Sequence, residues 1–222
     1  MRYCRFSTSS RTLLHLAVEK QSEVGMRLDD RGEIAFFNVE NGNAADLVRL
    51  PIPEGAEVSS FALASEESGL FALGLNTGAV LVAQYDFETS FSPEAVRQIN
   101  PVVNFPFGTT PFQLFVDGAV GRVAISERRD TLLLAGVSTA WNTCLIRITQ
   151  QRNLLTSFNL GGSAPQFDLE PLPVSLVAGD VDQIFIDGNQ RWLYLITPRG
   201  RLSLVDLRPA LRGQDATVAQ EV

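Results

Sequence analysis

Four small antiparallel β-sheets, with next to no helix, are what the sequence of this 222-residue chain predicts. Three observations predict them. The first is a pattern that occurs four times: an apolar residue, then Ser, Ala or Asp, then a polar turn, then an apolar strand opening on Leu. The copies are FSTSSRTLL from Phe6, LASEESGLF from Leu63, ISERRDTLL from Ile125 and IDGNQRWLY from Ile186. Their second residues, Ser7, Ala64, Ser126 and Asp187, stand 57, 62 and 61 residues apart (64−7, 126−64, 187−126). Self-similarity at such a step marks a repeat architecture. The second observation is alternation of apolar and polar residues over short segments, the period of a strand. The third is a pair of hairpin signals, Asn76-Thr77-Gly78 and Pro198-Arg199-Gly200, set between such segments.

Taken in order, the first repeat offers strands at Tyr3–Ser7, Leu13–Glu19, Ile34–Val39 and Asp46–Leu50, with Lys20 to Arg31 a polar hairpin or excursion. Ala44–Val48 could instead form a turn of helix. In the second come Val58–Ala64, Leu70–Leu75, Ala79–Phe87 and Val96–Val103. The stretch Pro101 to Phe115 holds three prolines and four phenylalanines. Proline removes ladder donors, so this stretch is no central strand. It reads as an apolar connector packed over the sheets, or else an exposed partner site. The third repeat gives Arg122–Ser126, Leu132–Val137, Cys144–Thr149 and Leu154–Phe158. The sequence GGSAPQFDLEPLPVSLVAGD then reads as a Pro/Gly-rich connector. The fourth gives Gln183–Asp187, Trp192–Thr197 and Leu202–Leu207, with a closing strand or frayed end at Thr217–Val222; Pro209–Arg212 could at most form a turn of helix. Phe6, Leu63, Ile125 and Ile186 should be buried alike, and Leu193 should match Leu13, Leu70 and Leu132. Of Trp192 and Tyr194, at least one should be buried between sheets.

Units of three to four strands joined by short hairpins are the blades of a β-propeller. The expected fold class is therefore all-β and β-propeller-like, with about four antiparallel blades, closed or as an arc of a larger ring. Residues 1–222 form one such domain, with repeats at approximately 1–56, 57–118, 119–180 and 181–222. The step near 60 exceeds the roughly 40–45 residues of a WD40 repeat, and the Trp-Asp and Gly-His signatures of that family are missing. An open arc would leave edge strands for a neighbour to cover. The chain opens inside a strand, which suggests a piece of something longer.

Composition narrows the function. Hydrophobic residues make up 45% and charged ones 19%, a globular balance. Net charge is −7, which argues against general nucleic-acid binding and polybasic docking on anionic lipid. Of 18 basic residues only Lys20 is lysine, which reads as codon bias. No signal peptide is visible and no apolar run nears the roughly 20 residues of a membrane helix.

Chemistry-bearing residues are scattered. His15, the single histidine, lies in an apolar strand with no charged orienter at a recognisable spacing, so it reads as half-buried packing. Asp29-Asp30, Glu66-Glu67 and Asp180/Asp182 pair carboxylates at predicted turns, where solvated charge is expected. Gly161-Gly162 opens no phosphate-cradling motif. Arg128-Arg129, Arg199 and Arg201 fall on hairpin tips. Cys4 and Cys144 fit neither a zinc site nor a redox motif and read as small buried residues. No catalytic residue, cofactor site or metal site is assigned, and no enzyme activity is expected.

Three stretches carry a resemblance: GLFALGLNTGAVLVAQYDF (69–87), INPVVNFPFGTTP (99–111) and DGNQRWLYLITPRGRLSLVDL (187–207). They resemble the large soluble insertion of extended bacterial phosphate ABC-transporter permeases of the PstC type. That resemblance implies a propeller-like domain excised from an inner-membrane protein and facing the periplasm. Its partners would be the permease core and the substrate-binding protein. The membrane spans of such permeases are absent from these 222 residues. The alternative is a freestanding cytoplasmic propeller scaffold for protein–protein interaction; a propeller hydrolase or lactonase ranks third.

Overall fold

The computed structural model describes residues 12–20, 23–94, 97–129, 131–150, 167–175 and 180–222. Among them, four antiparallel sheets follow one another along the chain. The first is β1 (Leu13–Val18), β2 (Val24–Asp29), β3 (Glu33–Asn38) and β4 (Ala44–Arg49). The second is β5 (Val58–Leu63), β6 (Leu70–Leu75), β7 (Ala79–Phe91) and β8 (Arg97–Asn104), with the short β9 (Phe112–Gln113) pairing onto β7. The third is β10 (Val120–Arg128), β11 (Thr131–Ser138), β12 (Thr143–Gln150) and β13 (Phe167–Leu172). The fourth is β14 (Gln183–Ile186), β15 (Trp192–Ile196), β16 (Leu202–Asp206) and β17 (Val218–Glu221), with a 3-10 turn at Ala210–Arg212 before its last strand. Within each sheet the main strands lie in chain order, as up-and-down meanders.

The chain divides into two compact units: Met1–Val58 with Tyr85–Asn104, and Ser59–Gln84 with Phe105–Val222. In the second unit the third sheet is buried on both faces, and its sequence alternates accordingly. Leu132 and Leu134 of β11, Val123 and Ile125 of β10 and Ile146 and Ile148 of β12 pack with Leu70, Ala72, Val80 and Val82 of the second sheet. Their neighbours Leu133, Ala135, Val137, Ala124 and Leu145 pack with Ile184, Leu193, Leu195 and Val205 of the fourth. A strand whose odd and even residues are both apolar can only sit between two layers. That face-to-face stacking of four-stranded meanders is what a propeller blade requires.

The first unit is built around Met26, Leu28, Ile34 and Phe36, all fully buried. Phe36 meets Phe87 edge-on at 6.2 Å between ring centroids, and Tyr85 meets Phe87 at 6.0 Å. Glu19, itself buried, accepts from Arg97 Nη2 at 2.5 Å, and Glu23 lies 3.3 Å from Nη1 of the same guanidinium.

One turn recurs in all four sheets, between the second and third strands. A residue with positive φ closes it: Gly32 (70°), Gly78 (82°), Trp141 (65°) and Gly200 (78°). Each donates its N–H to the carbonyl three residues back, at 3.0, 3.1, 3.0 and 2.9 Å respectively. This is a β-turn followed by a left-handed residue, a geometry glycine adopts without steric cost.

Several expectations need correction. Lys20 to Arg31 is not a polar excursion: it contains β2, whose Met26 and Leu28 are core. Gly25 and Arg27 dilute its alternation, and Gly25 is required because the Phe37 ring lies 2.5 Å from where a Cβ would stand. The connector after the third repeat contains β13. Pro171 is tolerated there because β13 ends its sheet, where no further ladder asks for its missing N–H. Ala44–Arg49 is strand, not helix. Leu13 is 43% exposed on the first strand of its sheet, whereas Leu70, Leu132 and Leu193 are buried on second strands. Leu13 is thus not the counterpart of Leu70, Leu132 and Leu193. Neither Trp192 nor Tyr194 is buried; both are half-buried, on the face of β15 opposite Leu193. Ile125 is buried, but Leu63 and Ile186 only half so. The positions Tyr3–Ser7, with Phe6 and Ser7, and Leu154–Phe158 lie outside the described residues. The turn at Pro209–Arg212 and the closing strand near the C-terminus are present as read.

Candidate functional site

Ala64, Ser126 and Asp187 do occupy corresponding places, at the hairpin from the first to the second strand of their sheets. Ala64 N donates to Leu70 O at 2.8 Å, Ser126 stands opposite Leu133, and Asp187 N donates to Trp192 O at 3.1 Å. Two of the three are joined directly, Ser126 Oγ donating to Asp187 O at 3.0 Å. Gln190, buried, donates to Ser126 O at 2.9 Å and to Thr131 O at 3.2 Å, and Arg128 Nη1 reaches Asn189 O at 3.0 Å. Ser126, Arg128 and Gln190 therefore fasten the third sheet to the fourth, while the Asp187 carboxylate accepts from the N–H groups of Arg191 and Trp192 in its own turn; these roles are structural.

First strands also meet along their length. Ser59 and Ser60 Oγ of β5 both donate to Val120 O of β10 at 2.8 Å. Arg122 of β10 donates through Nε to Asp182 O and through Nη2 to Asp182 Oδ1 at 3.3 Å. Ser59, Ser60, Arg122 and Asp182, with Phe61, Gln183 and Phe185, line a cavity of about 220 Å³. Its hydroxyl protons are committed to a backbone carbonyl and its guanidinium to Asp182. The site holds a partnered network with no nucleophile set beside a base.

A second cavity is apolar. Phe105, Phe107, Gly108, Thr110, Pro111, Phe112 and Phe167 line about 360 Å³. Phe107 packs against Phe167 of β13 with ring centroids 5.0 Å apart and planes tilted by 49°. The Phe-rich stretch is thus neither free nor swallowed. Phe115 anchors it in the core at 7% exposure, Phe107, Phe112 and Leu114 pack against the same core, and the cleft they leave open is aromatic. Pro101 is accommodated within β8, the last strand of its sheet's path, while Pro106 and Pro111 fall in the segment between β8 and β9 that joins no ladder.

The remaining singled-out residues stay apart. His15 Nε2 lies 3.2 Å from the Tyr85 hydroxyl, ring against ring at 5.6 Å. Asp29 is not the solvated charge expected of a turn. It is 9% exposed, and its Oδ1 accepts from the N–H groups of Arg31 and Glu33, both at 3.0 Å. Asp30 Oδ2 accepts from Thr12 N at 3.0 Å. Glu66, Glu67, Asp180, Arg129, Arg199 and Arg201 are exposed. Asp206 Oδ1 and Oδ2 each accept from Arg208 Nε at 2.9 Å, and that bond holds the carboxyl down at about 2. Cys144 is a free thiol whose pKa burial pushes up; Cys4 and Gly161-Gly162 lie outside the described residues. Among the described residues no three His, Cys, Asp or Glu side chains gather to hold a metal ion, and no helix is long and apolar enough to cross a membrane.

No family model matches this chain, and no curated protein matches it in sequence. Solved structures resemble it in fold. The β-propeller domain of Cps50 (Swd1) from Myceliophthora thermophila superimposes on 96% of the chain at 11% identity, with a TM-score of 0.50. The fold is that of a β-propeller domain. The fission yeast SREBP–SCAP binding domains cover 96% at 12% identity and a TM-score of 0.46, and a chain of the mitotic checkpoint complex covers 97% at 10% and 0.44. The chain spans about half the length of the first two, 55% and 50%, and 68% of the third.

Proposed function

We propose that this propeller is a non-catalytic interaction module that holds a protein partner through the aromatic cleft of Phe105, Phe107, Phe112 and Phe167. One observation carries the reading: the polar groups at the joint of the third and fourth sheets are spent on fastening it, while the aromatic side chains of the cleft are left half open. Clustered aromatics around a pre-formed hollow make interface anchors, because they bury much area at little entropic cost. The superimposable propeller domains support the fold beneath this reading. The test is a photo-reactive side chain placed at Thr110, inside the cleft, and at Glu66, an exposed control, in the native cell. Capture of one protein at Thr110 and not at Glu66 is expected. Equal capture at both, or activity in a hydrolase panel from the purified chain, would count against it.

The finer proposal keeps this module within a phosphate ABC permease, on the periplasmic side of the inner membrane. It rests on the three resembling stretches alone. Two of them cover β6–β7 and β15–β16, hairpins that share the left-handed glycine turn at Gly78 and Gly200. Much of their common wording therefore follows from turn and strand requirements. The freestanding scaffold is favoured for that reason. A reading frame with membrane spans on both sides of these residues would reverse the order; a frame without them would remove the permease.

A further inference from the structure

Three stretches of the second unit meet at one tip: the β6–β7 turn at 76–78, residues 113–119, and the β11–β12 turn at 138–142. Leu114 N and Phe115 N both donate to Gly78 O at 3.0 Å, and Gln113 Nε2 donates to Thr77 O at 3.0 Å. Thr139 N donates to Ala119 O at 2.9 Å, and Thr139 Oγ1 accepts from Ala119 N at 3.2 Å. The tip is thus fixed before anything binds, which spares a partner the entropic cost of ordering it. Two large apolar side chains stand out of it into solvent, Val116 at 91% and Trp141 at 43% exposure. Trp141 holds the left-handed position that glycine fills in the other three sheets, and bears a strain that glycine would not. Among the described residues its indole meets no other aromatic ring and no cation, so the fold gains no such contact from it. Asp117 is the sole charged residue of the three stretches. Its carboxylate is exposed and has no ion-pair partner among the described residues.

We infer that this tip docks into a different protein, one that offers an apolar pocket to the Trp141 indole and an arginine or lysine at the pocket's rim to Asp117. A strained backbone position persists where something other than stability is gained from it. Tryptophan on a rigid support is the residue type most enriched among the few that dominate an interface. Charge then selects the class of partner. With a bare carboxylate beside Val116 and no Lys or Arg in the tip, an anionic lipid surface or a nucleic acid would be repelled. A second copy, with the same net charge of −7, is set against it in the same way. The rim of a protein pocket supplies the missing opposite charge. A tip of this size buries less than a standard interface, so the contact belongs to the transient class. It shares no residue with the aromatic cleft proposed above, and docking here does not depend on that cleft being filled.

A photo-reactive side chain at Asn142, exposed in the tip, reads the contact in the native cell. Mass spectrometry of the cross-linked peptide identifies the captured protein, and titration of that purified protein into the full chain gives Kd. The cross-link should fall on an apolar segment with Arg or Lys close by. Trp141→Gly should raise Kd at least about tenfold, the cost of losing an interface anchor. Glycine already stands at this turn in the other sheets, so unchanged thermal unfolding separates lost binding from lost fold. Asp117→Lys, on an exposed loop, should raise Kd at least about threefold, and Asp117→Asn should flatten its dependence on salt. Val218→Glu removes an apolar side chain 39% exposed on β17 and should leave Kd unchanged. Capture of lipid, of a second copy or of no protein at all overturns the inference, as does a Kd indifferent to Trp141→Gly or to Asp117→Lys.

Discussion

The first and third sheets share a strand order and a turn, yet differ in how they earn their place. In β10–β13, nearly every residue of β11 is buried, odd positions against one neighbour and even positions against another. In β1–β4, only one face is buried, and β4 is exposed at five of its six residues. The sheets therefore draw stability from different sources. The third depends on aliphatic packing from both sides, the first on a small aromatic core with a buried charge and capped turns. What separates them is the number of neighbours each has, and a four-stranded meander does not encode that number in its topology.

The sharpest way to break this contrast is a matched pair of truncations. Leu133→Ala removes a fully buried side chain from the centre of the third sheet and should cost about 2–5 kcal/mol, the range for a core cavity. Leu16→Ala, on a 41% exposed position of β1, should cost less than about 1 kcal/mol. Urea unfolding of the two variants checks both. Equal losses would mean that the first sheet is covered as fully as the third.

How far the sequence carried the fold can be judged on the same two sheets. The third was readable strand by strand through β12, because double burial leaves long aliphatic runs such as Leu132 to Ala135. The first was misread at β2, where one buried face supplied only Met26 and Leu28 amid Gly25, Arg27 and Asp29. The pattern was real for three copies; the anchor of the first, Phe6-Ser7, lies outside the described residues, and its Leu13 is not the counterpart of Leu70, Leu132 and Leu193. The signal common to all four sheets was the left-handed turn residue, and its steps are 46, 63 and 59 (78−32, 141−78, 200−141). Uneven spacing, and a tryptophan where glycine stands elsewhere, hid it. The cleft was half legible: Phe105 to Phe115 announced it by composition, but Phe167 joins from a strand more than fifty positions on, and no local pattern points to it.

The turn offers the next comparison. Gly32 in the first sheet has φ of 70°, and a Cβ there would stand 2.2 Å from Ile52 Cδ1. Ile52 can swing away, so the cost of Gly32→Ala is mainly the left-handed backbone, about 1–2 kcal/mol. Trp141 in the third sheet already bears that cost at φ of 65°, with a side chain 43% exposed. Trp141→Gly should therefore leave the protein as stable or raise stability by up to about 1 kcal/mol. Thermal unfolding decides. A clear destabilisation by Trp141→Gly would show that the indole, and not the turn, holds that hairpin.

The smallest effect concerns the residue that opens the same turn. Asp29 Oδ1 accepts two backbone N–H groups in the first sheet, and Ser138 Oγ accepts two in the third, from Ala140 at 3.2 Å and Asn142 at 3.0 Å. Arg31, Ala140 and Asn142 are exposed and Glu33 half-buried, so water can replace the lost acceptor, and each alanine replacement should cost about 0.5–1.5 kcal/mol, the net value of a hydrogen bond. The two differ in charge, which gives the comparison its edge. Asp29→Asn keeps an oxygen in the accepting position and removes the charge. If geometry alone closes the turn, Asn should retain most of the stability that Ala loses, and the first sheet's turn is equivalent to the serine-capped one. If Asn loses as much as Ala, the carboxylate charge itself stabilises the N–H groups of Arg31 and Glu33, and charge-assisted bonding takes over where the first sheet lacks aliphatic cover. Urea midpoints of Asp29→Ala, Asp29→Asn and Ser138→Ala, measured at one neutral pH, separate the two outcomes.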